Sequence, residues 1–240
     1  LTRARRDGSS VILIDGDMLV YRVGFACDDE PARVATETLD NYLSQIVLDL
    51  SDHYASSIVY LTGKGNFRDE VAVTQPYKAG RSEKRKPVHK KLLRDFMVSE
   101  WNAEVVNGME ADDAIAIKAT ELDHKAIICS LDKDFRQVPC PMYDYTKKNL
   151  NAFKVDDAMR WLYKQALMGD RVDNIPGIYG VGPKKADKII DPCTTEWECY
   201  STCLAHYWDN ELDEERLLES LNLLYLLRSH DDKYEKPSEV

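Results

Sequence analysis

Val11-Ile-Leu-Ile14-Asp15-Gly16-Asp17 decides how the rest of the chain is read. Four consecutive apolar residues ending on a carboxylate read as a strand buried on both faces of a parallel sheet. Outward from it, residues 36–54 place Leu39, Leu43, Ile46 and Leu50 on one helical face. Ser57-Ile-Val-Tyr-Leu61 is a second strand, followed by the turn Gly63-Lys-Gly65; residues 88–99 read as a helix and 103–106 as a third strand. A helix is expected over 111–122, then a fourth strand over 126–131 that stops at Asp132. Strands alternating with helices specify an α/β fold, a right-handed parallel sheet flanked by helices, with ligands at the carboxyl ends of its strands.

Past residue 155 the strand signals cease. Helices are expected over 155–168, 183–190, 195–208 and 214–228, giving a catalytic-size domain over 11–155 and a helical region over 156–240. Asn174-Ile-Pro-Gly-Ile-Tyr-Gly-Val-Gly-Pro183 is too rich in Gly and Pro for a regular element. Glycines that open a helix let a ligand approach the backbone closely, so helix, hairpin, helix over about 160–190 reads as a grip on a DNA backbone that ignores base sequence.

Four acidic motifs sit at strand ends or helix starts: Asp15-Gly-Asp17, Glu110-Ala-Asp-Asp113, Asp132-Lys-Asp134 and Asp170-Arg-Val-Asp173. Each alone has an ordinary explanation. Acids at a helix start cap it, Asp132 and Asp134 share one side only if strand geometry continues, and Asp170 with Asp173 suits an exposed turn. Converging on one sheet edge, they cannot all stay ionised without cations. Oxygen donors without His or Cys point to Mg²⁺ or Mn²⁺, and two such ions serve phosphodiester hydrolysis.

A chain of 240 residues that is 44% hydrophobic can bury a full core. No run of about 18 apolar residues and no secretory leader is present, so a soluble, cytoplasmic protein without a membrane partner is expected. The first ten residues, which lack an initiator Met, read as a processed end or a fragment start and are set aside. The six cysteines form no CxxC pair and read as reduced thiols; Cys199, Cys203 and His206, with Cys193 nearby, share a helical face but match no established zinc spacing. The net charge of −10 conceals a basic tract, because eight basic residues and one acid lie between Tyr77 and Arg94. Such a tract beside an acidic pocket suits a polyanion.

Ile14-Asp-Gly-Asp17, Tyr77-Lys-Ala-Gly-Arg81, Glu110-Ala-Asp-Asp113, Leu131-Asp-Lys-Asp134, Gly169-Asp-Arg-Val-Asp-Asn-Ile-Pro-Gly177 and Gly180-Val-Gly-Pro-Lys-Lys185 together resemble the 5′-nuclease (flap endonuclease) superfamily, in its bacteriophage 5′-to-3′ exonuclease form. The resemblance covers residues 11–190. It implies a PIN-like catalytic domain, a helix-three-turn-helix duplex-binding region, two Mg²⁺ (or Mn²⁺) ions, and hydrolysis of DNA from or near a 5′ end or flap. It places Asp15, Glu110, Asp112 and Asp132 at the first ion and Asp113, Asp134, Asp170 and Asp173 at the second. Lys78 and Arg81 become the clamp on the scissile phosphate, and Tyr77 stacks on the terminal base. The tract with Lys84, Arg85, Lys86 and Lys90 becomes an arch over about 64–100. Gly180, Gly182, Lys184 and Lys185 hold the duplex, with K⁺ expected at the hairpin.

One departure stands out. The family usually carries another metal-site Asp at the end of its second strand, where this chain has Thr62 or Gly63; a weaker first site is expected, with Asp17 as a partial compensation. Two other readings keep part of the pattern: a PIN-domain ribonuclease, which needs neither hairpin nor long basic tract, and a DNA-end-binding protein with a decayed site.

Overall fold

The computed structural model describes residues 11–52, 56–80 and 84–239. In chain order the elements are β1 (Val11–Asp15), α1 (Gly16–Ala26), α2 (Ala32–Leu50), β2 (Ser56–Thr62), α3 (Arg68–Val71), α4 (Lys90–Trp101), β3 (Glu104–Val106), α5 (Ala111–Glu121) and β4 (Ala126–Cys129). A 3₁₀ turn (Lys133–Gln137) then leads to β5 (Met142–Asp144) and β6 (Asn149–Asn151). After these come α6 (Val155–Met168), β7 (Gly169–Asp170), β8 (Ile175–Pro176), α7 (Pro183–Ile190), α8 (Glu196–Trp208) and α9 (Glu214–Leu224).

The chain divides into two compact units, neither continuous in sequence. The first runs to Gly65 and adds Arg85–Phe135 and Cys140–Ala152; the second comprises Asn66–Lys84, Arg136–Pro139 and the chain from Phe153 onward. The basic tract is thus shared between them.

In the first unit six strands form one sheet in the order β3-β2-β1-β4-β5-β6, parallel except for the antiparallel β5–β6 pair. β1 is central, flanked by β2 and β4, and Ile12, Leu13 and Ile14 are buried as their unbroken apolar run requires. Leu39, Leu43 and Ile46 of α2 and Leu93 and Met97 of α4 pack with Ile12 and Ile14 in one cluster. Each such side chain contributes roughly 1.5–3 kcal/mol on burial.

Several boundaries differ from the sequence expectation. α2 spans 32–50 because Pro31 opens it four residues earlier than the expected start. β4 stops at Cys129 and Lys133–Gln137 turns as 3₁₀, so Asp132 and Asp134 do not alternate along a strand. β5 and β6 have three residues each, too short for a periodic signal.

In the second unit α6, α8 and α9 bury Leu162, Tyr163, Ala166, Cys203, Tyr207, Leu217 and Leu221. The Tyr207 hydroxyl donates to the Ala166 carbonyl at 2.8 Å, and Lys164 joins α6 to α7 through Asp187 (2.8 Å) and Asp191 (2.6 Å). α9 ends at Leu224, four residues before the expected boundary. Arg68, buried at 2% exposure, donates to the carbonyls of Leu223 (2.8 Å) and Tyr225 (2.7 Å), and Gln137 donates to that of Leu224 (2.7 Å). Side chains from distant segments thus satisfy the carbonyls that a helix end leaves over. Between α6 and α7 the chain forms the short β7–β8 ladder and then the glycine-rich loop.

Candidate active site

β1, β2 and β4 run in parallel, with Asp15 opposite Tyr60 and Ile14 opposite Cys129, so the residues that leave these strands emerge at one edge of the first unit's sheet. Asp15 is only 3% exposed. It caps α1 by accepting the Met18 N–H at 3.0 Å, and its other oxygen accepts the Ser130 hydroxyl at 2.7 Å. Ser130 Oγ in turn accepts the Asp132 N–H (3.0 Å), and Asp132 accepts the Asp134 N–H (2.9 Å). Burial pushes the Asp15 carboxyl up to about 7; the Met18 and Ser130 hydrogen bonds oppose this, while the charges of Asp17 and Asp132 add to it.

The helix-start motif comes to the same edge through Thr62, whose hydroxyl accepts the first N–H of α5, from Ala111, at 2.9 Å. Glu110 and Asp113 form a reciprocal capping box, with the Glu110 N–H donating to Asp113 at 3.1 Å. Asp113 is fully buried and Asp112 half-buried. The ordinary capping role is therefore filled, and a metal role is compatible with it because a carboxylate offers about four acceptor positions.

Asp17 makes contacts of its own at the end of β2. One oxygen accepts the Thr62 N–H at 2.8 Å and the other pairs with Arg94 at 2.5 Å, while Arg94 also donates to the Thr62 carbonyl at 2.5 Å. Asp17 and Arg94 together clamp the end of β2. Asp17, in the first turn of α1, thus brings its own cation to the sheet edge. Gly63 has no room for a carboxylate: a Cβ there would lie 2.5 Å from the Val106 carbonyl oxygen and 2.4 Å from Asn107 Oδ1.

The first unit thus carries Asp15, Glu110, Asp112, Asp113, Asp132 and Asp134, all oxygen donors, around a carboxylate whose neighbours repel it. That donor chemistry fits a hard divalent cation. Among the described residues no three His, Cys, Asp or Glu side chains stand as a finished ligand set. The cysteines are buried free thiols, and Cys203 Sγ faces the Tyr163 carbonyl at 3.6 Å.

The second unit carries Asp170, Asp173, Tyr77 and Lys78. Asp170 is buried and accepts the Val172 N–H at 2.7 Å, forming the turn that presents Asp173. Asp173 accepts the Tyr77 hydroxyl (3.1 Å) and faces Lys78 Nζ (3.6 Å), and its carbonyl accepts the Lys78 N–H (2.8 Å). The Lys78 ammonium also sits 4.9 Å from the Tyr77 ring centroid. Arg81 lies outside the described residues.

Of the other basic candidates, Lys84 and Lys86 are exposed. Arg85, 71% exposed, pairs with Asp28 at 2.6 Å, and Lys90 donates to the Tyr21 hydroxyl at 2.7 Å over that ring. In the glycine-rich loop Gly180 has a φ of +73°, Gly182 caps α7, and Lys184 and Lys185 are exposed. Tyr179 is 99% exposed, which the sequence reading missed; an aromatic inside a glycine-rich run was its one signal.

Residues 10–161 match the family described as 5'-3' exonuclease, N-terminal resolvase-like domain. DNA polymerase I of Bacillus caldotenax is 28% identical over 206 residues, covering 75% of this chain and 23% of that protein. Flap endonuclease Xni of Shewanella putrefaciens is 28% identical over 193 residues, covering 75% of this chain and 73% of the relative. The chain thus spans about a quarter of the polymerase and most of Xni. In fold it resembles the T5 D15 protein, crystallised with metal ions, at a TM-score of 0.68 and 20% identity, over 90% of this chain and 89% of that one.

Proposed function

Because this chain belongs to the 5'-3' exonuclease family through its N-terminal resolvase-like domain, we propose that it is a metal-dependent nuclease hydrolysing DNA from or near a 5′ end or flap. The observation that carries this reading is the Asp15–Ser130–Asp132 chain at the edge of the parallel sheet, with the Glu110–Asp113 helix start brought to the same edge by Thr62. Its ligands are Asp15, Glu110, Asp112, Asp113, Asp132 and Asp134. Asp170 and Asp173 are assigned to metal on the family resemblance alone.

Divalent ions, Mg²⁺ or Mn²⁺ and two in number, supply an activated water and neutralise charge on the scissile phosphate. The residues themselves do the rest. Asp15 and Asp132 are fixed by Ser130, and Glu110 and Asp113 by the capping box, so the donors are pre-set and little reorganisation accompanies reaction. Lys78 and Arg81 serve as cations toward the phosphate, with Tyr77 as a base-stacking surface. Lys84, Arg85, Lys86 and Lys90 attract the single strand. Gly180, Gly182, Lys184 and Lys185, joined here by Tyr179, form the duplex contact in a helix-three-turn-helix arrangement, with K⁺ at the hairpin. No described helix is long and apolar enough to cross a membrane, and the cytoplasm is the compartment proposed.

Products from 5′-labelled flap, nicked and blunt duplexes with Mg²⁺ test the reading. Mononucleotides indicate exonuclease steps and flap-length oligomers endonuclease steps. Cleavage of matched RNA in preference to DNA would instead favour a PIN-type ribonuclease, and binding without product would favour an end-binding protein.

A further inference from the structure

Residues 72–80 have no helix or strand, yet they carry Tyr77 and Lys78. Lys78 has a φ of +52°, a left-handed conformation costing an ordinary residue roughly 1–2 kcal/mol. Such a conformation persists only where its surroundings over-determine it.

Part of that determination comes from α9, which contains none of the motifs. Glu219 Oε1 accepts the N–H groups of both Val73 and Thr74 at 2.7 Å, and its Oε2 accepts the Thr74 hydroxyl. One turn away, Arg216 donates to Glu219 at 2.7 Å and to the Pro176 carbonyl at 3.0 Å. Both side chains are largely shielded, 11% exposed for Arg216 and 9% for Glu219. The pair therefore ties the residues before Lys78 to the residues after Asp173. Between these ties, the Asn174 side chain donates to the Pro76 carbonyl (2.9 Å) and the Lys78 N–H to the Asp173 carbonyl (2.8 Å).

We propose that Glu219 and Arg216 are positioning residues that hold Lys78 in its strained conformation against Asp173, so that α9 sets the geometry of the cationic clamp. The proposal rests on the nuclease reading for what Lys78 does, though not for where it is held. Glu219 acts through the backbone of the 73–78 segment and touches no substrate.

Hydrogen exchange and kinetics test it together. In Glu219→Ala the amides of Val73 and Thr74 should exchange at least about tenfold faster while those of α8 keep wild-type protection. Thr74→Ala, which removes a tie without altering α9, should shift the same segment in the same direction by less. On 5′-flap DNA with Mg²⁺, Glu219→Ala should lower kcat roughly 10- to 100-fold with KM changed less than about twofold. On a Lys78→Ala background it should add almost nothing, and Glu219→Gln, which keeps one acceptor oxygen, should recover part of the loss. Unchanged exchange at residues 73–74, or losses that multiply in the double variant, would overturn the proposal. If the wild type cleaves nothing, the nuclease reading fails, and the exchange result alone decides whether α9 holds the segment.

Discussion

Asp15 in the first unit and Glu219 in the second are both carboxylates shielded by protein, and their affinities for a proton move in opposite directions. Burial dominates at Asp15, where the neighbours are a backbone N–H, a hydroxyl and the charges of Asp17 and Asp132, and the carboxyl is pushed up to about 7. At Glu219 burial also raises the value, but the hydrogen bonds from Thr74, Val73 and Arg216 outweigh it and leave the carboxyl below its usual range. Glu219 has a cation, Arg216, on its own helix, whereas the charges that bear most on Asp15 are those of two other acids. The contrast separates a carboxylate satisfied by its own hydrogen bonds from one that its neighbours repel, and the latter is what the proposed metal role requires.

The largest effect should come from removing charge among the acids at the sheet edge. Asp132→Asn should lower Mg²⁺-dependent cleavage roughly 1,000-fold or more while DNA affinity is kept or rises, because pocket and phosphate repel less. Parallel cleavage and binding titrations check this, and activity within about tenfold of wild type would break the comparison.

Stability against pH sharpens it next. The unfolded Asp15 carboxyl titrates near ~3.9 and the folded one at about 7. The fold therefore retains a proton that the unfolded chain releases, and metal-free stability should fall as pH rises across that window. The loss is bounded by about 4 kcal/mol. Asp15→Asn, or millimolar Mg²⁺, should flatten the slope in urea melts with and without chelator. Glu219 carries the opposite sign: its contribution is present above its unfolded value and lost as pH falls through its lowered folded value, so Glu219→Gln should remove an acid-side loss.

Thr62→Ala should cost about 1 kcal/mol, because α5 loses the hydroxyl that accepts its first N–H. Thr62→Asp should lower the Mg²⁺ concentration for half-maximal rate several-fold, as a charged oxygen joins the edge. Gly63→Asp should destabilise the fold instead, and thermal melts beside metal titrations distinguish the two. Smallest of all, neutralising Lys184 and Lys185 together should make the slope of log affinity against log salt shallower by about 2, read by duplex binding across salt concentrations. Gly182 meets nothing within 4 Å of an added Cβ, so Gly182→Ala should cost no more than the N-cap preference of about 1 kcal/mol, and duplex binding measured beside thermal melts reads any further effect.

What was legible in the sequence was local. Apolar runs placed β1, β2 and β4, and the helices expected over 155–168 and 183–190 are α6 and α7 with the boundaries observed. The acids at strand ends could be named because a strand end is visible in one dimension. Ser130, Arg94 and Glu219 could not. Ser130 lies next to a strand like many serines, and its role appears only when β1 and β4 set it 2.7 Å from Asp15. Arg94 lies in a basic tract like many lysines and arginines, and its pairing with Asp17, 77 positions earlier, appears only in the fold. Glu219 takes its hydrogen bonds from residues 145 and 146 positions earlier, a relation no window of sequence contains.

The interleaving of the two units constrains how this chain can be cut. A fragment starting at Phe153 would contain α6 through α9 yet omit Arg68 and Gln137, the donors to the last carbonyls of α9, along with Val73 and Thr74, which bind Glu219. It would expose the ends of a helix whose partners were left behind. A shortened form of the second unit is therefore better obtained by circularly permuting the chain, or by grafting residues 66–84 back through a linker, than by truncation.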